Sequence, residues 1–293
     1  MSDLTNIAPI LRPAEAGAVF TLAADRGWGH RFQLAAADLR EGGRLWRLAW
    51  ELGFADIRLR YRGSVLGPFW LTISTAIMVG AMAFLYAVLF HTDIHTYLPY
   101  LTVSMIFWTY LATMVTEGCA CFMGTDSLIK STRIPFSVHA ARSIIRNTIV
   151  FGHNLIVIIA LYVIMWKSVS FYALWAVPAF FLWVIDGFAI SLLFGALCAR
   201  FRDVPQIIAA LMQIAFFITP IMFYANAFKG HPRVNMLMGL NPFLCILEII
   251  RSPILGDPLS LHMVEKALIV SAVVIGVSLI GFARARGRIA YWV

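Results

Sequence analysis

Charge is scarce in this chain. Only 13% of its 293 residues are Asp, Glu, Lys or Arg, 61% are hydrophobic, and the mean hydropathy is +0.82. A soluble domain carries roughly a quarter charged residues, so most of this surface does not face water. Cysteine is scarce too. Cys119, Cys121, Cys198 and Cys245 form no C-x-x-C pair and have no His at zinc-ligand spacing, which excludes a disulfide framework and a legible zinc site. They read as small apolar helix residues. The chain has no Gly-rich phosphate loop ending in Gly-Lys-Ser/Thr, no H-E-x-x-H, no D-x-D and no G-x-S-x-G. The expectation is therefore a non-enzyme with no catalytic residue, no metal and no cofactor of its own. Asp3, Glu15, Asp25 and Asp38 interrupt the first forty residues. They leave no apolar core of about 7–15 residues, so no cleavable signal peptide is expected.

What is present is base and long apolar runs. A net charge of +8 and a pI near 9.6 suit nucleic acid or a membrane surface, but no polar, aromatic-interleaved basic domain exists to hold a nucleic acid. Crossing ~30 Å of hydrocarbon takes about 20 apolar residues as a helix. Six segments reach that length, at about 69–90, 97–117, 145–166, 171–198, 205–224 and 264–283. With both termini cytoplasmic, 18 of the 23 Lys and Arg fall in inside segments, as the positive-inside rule requires. Between the last two segments, Phe243–Leu255 is apolar and fenced by Pro242 and Pro253. It is too short to span and fits a re-entrant or interfacial helix. The fold class expected is an all-α membrane protein: six spans, an N-terminal amphipathic interface helix, and short re-entrant gate helices between spans five and six.

Residues 44–62 repeat Leu45, Leu48, Leu52, Ala55 and Leu59 at helical spacing. Trp46 and Trp50 lie beside that stripe, with Arg44, Arg47, Arg58, Arg60 and Arg62 along it. Such a helix lies in a membrane interface, Trp at headgroup depth and Arg toward phosphate; a soluble helix packed on a partner is the other reading. Residues 1–43 form an N-terminal cytoplasmic tail without an assigned role, and 44–293 the transmembrane domain.

The segment Gly124–Arg146 is longer than a tight helix–helix connection needs. A short helix carrying Ser127, Leu128, Ile129 and Lys130, followed by Arg133 and ended by Pro135, explains the length as a piece that docks on a partner.

Several stretches carry a resemblance, in order: R-L-R-Y-R-G-S-V-L-G-P-F-W (Arg58–Trp70), S-L-I-K-S-T-R-I-P-F (Ser127–Phe136), R-F-R-D-V (Arg200–Val204), T-P-I-M-F (Thr219–Phe223), and N-P-F followed by E-I-I-R-S-P-I-L-G-D-P (Asn241–Pro258). From Arg44 to the C-terminus the chain resembles the permeases of ABC-2-type exporters of O-antigen and capsular polysaccharide (the Wzm/KpsM type), related to the teichoic acid permeases. The resemblance implies a homodimer in the bacterial inner membrane, two ABC ATPase subunits that bind ATP and Mg, and a lipid-linked polysaccharide as substrate. It makes Ser127–Phe136 the coupling helix and the Pro242–Pro253 segment, with Phe243, Glu248 and Arg251, an outer gate.

A sugar polymer suits aromatic surfaces, and Phe107, Trp108, Tyr110, Phe216 and Phe217 are pathway candidates; membrane helices also use aromatics for packing. Arg58, Arg60 and Arg62, with Trp46 and Trp50, suit carrier-lipid phosphate and equally ordinary interfacial anchoring. Asp186, mid-segment, is costly in hydrocarbon. It serves either a pathway or a hydrogen bond that holds two helices together. Glu117 sits near the cytoplasmic end of the second segment. Rival readings are an ABC-2 exporter of a small lipid or drug, an ion-coupled transporter using Asp186, and a membrane-embedded transferase, for which no carboxylate or His constellation is visible.

Overall fold

The computed structural model describes residues 27–64, 66–67, 69–224 and 232–293. Residues 1–26 of the expected tail, Val65 and Pro68 of the first motif, and Lys229 lie outside them. All secondary structure among the described residues is helical: α1 (Trp28–Arg44), α2 (Trp46–Arg60), α3 (Phe69–Leu89), α4 (Ile94–Ala120), α5 (Asp126–Ser131), α6 (Phe136–Ile164), α7 (Ala176–Arg200), α8 (Val204–Ile218), α9 (Pro232–Leu240), α10 (Pro242–Leu255) and α11 (Leu261–Trp292). Five stretches are long and apolar enough to cross a membrane: α3, α4, α6, Phe171–Arg200 with α7, and α11. This is a multi-pass, all-α membrane protein.

The expected span 205–224 is shorter than its hydropathy suggested. α8 has 15 residues, about 22 Å of helix, and ends where Pro220 follows Thr219. A residue before proline is pushed out of the α region, and Thr219 is extended at φ −82°, ψ 135°. The apolar count ran through this stop. The segment expected at Phe243–Leu255 is α10. Pro242 opens it, Asn241 Oδ1 accepts the Phe243 N–H at 2.9 Å, and Gly256 ends it in the left-handed region at φ 100°. Pro253 lies inside the helix rather than ending it.

α4 is the most enclosed of the five spans and α3 the least. α4 packs closely on α7 because small residues face each other. A Cβ on Gly118 would lie 3.2 Å from the Ser191 Cα, and one on Gly195 would lie 2.4 Å from the Cys121 Sγ. Without large side chains the backbones approach closely, the means by which helices associate in lipid.

α2 buries a different stripe from the one its leucines outline. Ala49, Gly53 and Ile57 face α6, and Leu59 and Ala55 are exposed. A Cβ on Gly53 would lie 3.1 Å from the Arg142 carbonyl, so close approach to α6 selects the small residues. Trp46, Trp50 and Phe54 are left as an outward aromatic row. α1 occupies residues to which no role was assigned, packing on α11 and α6.

Candidate functional site

At one end of the bundle, α1, α2, α5 and the C-terminus of α11 come together. α5 holds Ser127, Leu128, Ile129 and Lys130; Ser127, Lys130 and the following Arg133 are exposed, and Pro135 is buried as the N-cap of α6. Lys130 Nζ pairs with Asp126 at 3.7 Å and donates to the Val293 carbonyl at 3.0 Å. The turn after α5 is anchored by Asp38. Its carboxylate accepts the N–H of Phe136 (3.2 Å) and Ser137 (3.0 Å), two of the donors a helix start leaves unpaired, and also binds Arg286 Nε at 3.1 Å. A buried residue of α1 thus fixes the start of α6 to α11.

Beside α5 lies an ionic cluster. Asp56 on α2 receives Arg142 Nε (2.8 Å), Arg142 Nη2 (2.5 Å) and Arg146 Nη1 (3.1 Å). Arg146 Nη2 also reaches Glu117 Oε2 at 2.6 Å, and Arg60 reaches Glu117 Oε1 at 3.3 Å. Burial pushes the Asp56 carboxyl up, but the guanidiniums of Arg142 and Arg146 outweigh it and hold the group below the usual carboxylate range. Arg60 is therefore a partner of Glu117. Arg58 stacks on Phe54 at 4.6 Å, and Arg62, Trp46 and Trp50 are exposed.

At the opposite end, a turn of non-helical backbone, Thr219–Tyr224, must find partners for its carbonyls. Tyr97 OH donates to Met222 O at 2.5 Å, and Tyr100 OH lies 2.8 Å from both Pro220 O and Phe223 O. Arg251 of α10, 2% exposed, directs Nη1 at Pro220 O (2.5 Å), Tyr100 OH (3.0 Å) and Ser104 Oγ (3.1 Å). It also pairs with Glu248, whose other oxygen accepts Ser252 Oγ at 2.9 Å. Asn241 Nδ2 donates to Thr219 Oγ1 at 2.9 Å. Of the proposed gate residues, Arg251 and Glu248 thus hold α4, α10 and the turn together. Phe243 packs on Trp108 at 5.6 Å.

In the middle, Phe107 and Tyr110 are enclosed in a stack with Phe151, Phe180 and Trp183, and Tyr110 OH lies 2.8 Å from Thr148 Oγ1. Trp108 is buried against Phe216, and Phe217 is exposed. Asp186 is buried and its Oδ2 accepts Ser271 Oγ at 2.6 Å, linking α7 to α11.

No family model matches this chain. Three curated relatives do, each named O-antigen export system permease protein RfbA. Two are from Klebsiella pneumoniae: one is 23% identical over 236 residues, 80% of this chain and 90% of the relative; the other is 22% identical over 193 residues, 66% and 74%. The third, from Myxococcus xanthus, is 21% identical over 196 residues, again 66% and 74%. The chain is a relative of the O-antigen export permeases. The ordered motifs and these alignments agree on that relationship.

In this permease relative, sequence reasoning passed over Asp56, Arg142, Arg146 and Asp38, and gave Glu117 little weight. The one available signal was an acid within otherwise apolar or basic helices; its partners lie 29 to 248 residues away and carry no local pattern.

Proposed function

We propose that this chain is the membrane-spanning subunit of an ATP-driven ABC exporter that moves lipid-linked polysaccharide, of O-antigen or capsule type, from the cytoplasm across the inner membrane. The observation that carries the reading is the similarity to O-antigen export permeases over 66% to 80% of the chain. Two copies form the pathway, and two ABC ATPase subunits bind ATP and Mg beneath them. Both termini are cytoplasmic, α8 with Thr219–Tyr224 makes a sixth membrane passage, and α9 and α10 form the outer gate. α5 serves as the coupling helix: it projects between α4 and α6 with Ser127, Lys130 and Arg133 exposed. The anchoring of its following turn by Asp38 supports this role, because a lever transmits motion only if its base is held. The outward row Trp46, Trp50 and Phe54, with Arg58, suits the headgroup region where the lipid carrier enters.

Affinity purification of the tagged chain in mild detergent from its native host, with an ATPase assay, tests the reading. A stoichiometric ABC ATPase that hydrolyses ATP in the complex is expected. A homogeneous preparation lacking any ATPase across several detergents would exclude it.

A further inference from the structure

α4 is almost wholly buried from Pro99 to Cys119, and the residues there that keep any exposure are Thr109, Ala112, Thr113, Thr116 and Glu117. A face turned to lipid looks different: α3 exposes Ile77, Phe84 and Leu85, at 66%, 67% and 62%. Each threonine hydroxyl donates to its own helix, to Met105 O (2.8 Å), Thr109 O (2.9 Å) and Ala112 O (2.9 Å). Lone pairs on the three oxygens are left to accept from outside. α8 divides its exposed surface into two strips. At about 100° per residue, Gln206, Ala210, Gln213 and Phe217 share one, and Ile207, Leu211, Ile214 and Ile218 the other. Neither glutamine side chain has a hydrogen-bond partner among the described residues. A carboxamide facing hydrocarbon forfeits the hydrogen bonds it makes in water, so this strip faces water or a polar partner.

The threonines and the glutamines share one groove. α8 packs on α4 through Phe216 against Trp108, with 5.9 Å between ring centroids. An apolar cavity lined by Leu111, Met212 and Ile214 occupies one side of that contact. Counted around each helix, both polar strips fall on the other side. Beyond Thr109 the groove is closed, because α4 is buried there beneath the Thr219–Tyr224 turn and Arg251. Toward α5 it ends at Glu117 and its pairs with Arg60 and Arg146.

We propose that this groove is the inner half of the polymer's pathway. Polysaccharide hydroxyls donate to Thr109, Thr113 and Thr116, and exchange hydrogen bonds with Gln206 and Gln213. The proposal rests on the exporter reading above. Neither Thr109–Thr116 nor α8 contains a charged residue, so no strong anchor holds the polymer in one register and it can slide. Outward lone pairs select a chain rich in hydroxyl donors.

The test uses the chain with its ATPase in inside-out membrane vesicles of the native host. Thr113→Cys and Gln213→Cys are treated with a sulfonated methanethiosulfonate, which reacts with thiols in water and not in lipid. Both should be modified. Ile77→Cys on α3 should not, nor should the wild type, whose four cysteines are buried. Failure to modify Thr113→Cys and Gln213→Cys would overturn the proposal. So would disulfide-linked dimers of Gln213→Cys under mild oxidation, which would assign the strip to a second copy. Export then separates a sugar contact from a wetted surface. Thr113→Val combined with Gln213→Leu removes the polar groups at similar size. Exported polymer per complex should fall about fivefold or more, the scale of two lost hydrogen bonds, with ATPase assembly and ATP hydrolysis retained. Wild-type export would overturn the proposal. A chain that co-purifies with no ATPase removes the exporter reading and this inference with it. With the ATPase present, a failed modification removes the inference alone.

Discussion

The Arg251 guanidinium points Nη1 at the Pro220 carbonyl from 2.5 Å, across 31 residues of chain. That carbonyl belongs to backbone that left the helical ladder when proline ended α8, so a buried cation stands in for the missing N–H. Arg251→Met removes the charge, takes from Glu248 its cation, and leaves the Pro220 carbonyl to Tyr100 OH alone. A loss on the order of 3 kcal/mol is expected, as for one partner taken from a buried pair. Tyr100→Phe, which leaves Arg251 in place, is expected to cost about 1–2 kcal/mol. Thermal unfolding of both variants and of the double variant checks this. A double variant whose loss equals the sum of the single losses would show that the two side chains do not act as one unit.

The Asp56 cluster predicts a pH dependence with a definite sign. The folded-state carboxyl lies below the usual range, so its contribution is fully present above its unfolded pKa of about 3.9. It is lost as pH falls through the folded value. The Tm difference between wild type and Asp56→Asn is therefore expected to hold from pH 8 to pH 5 and to shrink only below about pH 4. A difference that shrinks between pH 7 and 5 would count against the pairing.

Asp38 caps α6 from α1, 98 and 99 residues earlier in the chain. Asp38→Ala is expected to cost about 1–2 kcal/mol for the lost cap and to leave Arg286 without this partner. Hydrogen exchange localises the effect: the amides of Phe136 and Ser137 should gain exchange while those of α4 stay unchanged.

Substitution in α5 separates coupling from folding. Lys130→Glu and Arg133→Glu alter exposed side chains, so stability should move by no more than about 0.5 kcal/mol. Export of the polysaccharide and stimulation of the partner ATPase should fall together. Export at the wild-type level in both variants would remove α5 from the coupling role.

The glycine contacts give a steric prediction with its own control. Gly195→Val places a branched side chain where even a Cβ meets Cys121 Sγ at 2.4 Å, and overpacking there is expected to cost about 1–3 kcal/mol. Gly80→Ala, with nothing within 4 Å, is expected to leave Tm unchanged or slightly raised.

Most of the membrane-crossing framework was legible before any coordinates, because hydropathy and length are local properties. The start of α10 at Asn241-Pro242 was equally local. The early end of α8 was written in Thr219-Pro220 as well, but an apolar count passes over a proline that a backbone cannot ignore. The α2 face was misread for a different reason. Leucine spacing defines a stripe, yet the neighbour decides which stripe is buried, and α6 comes too close at Arg142 and Ile145 to admit anything larger than Gly53.

By itself, the sequence determined that this chain is helical and membrane-embedded, that it has no phosphate loop of its own, and that its motifs run in the order of the O-antigen export permeases. Tertiary structure alone decided which polar groups meet. Arg251 with Ser104, Arg142 with Asp56, and Asp186 with Ser271 join residues 85 to 147 positions apart. It also decided that Phe107 and Tyr110 are enclosed while Phe217 faces outward. The physical reason is the range of each interaction. Burial in lipid acts on each segment separately and leaves a periodic trace, whereas a hydrogen bond needs two atoms within about 3 Å, and only the packed helices bring them there.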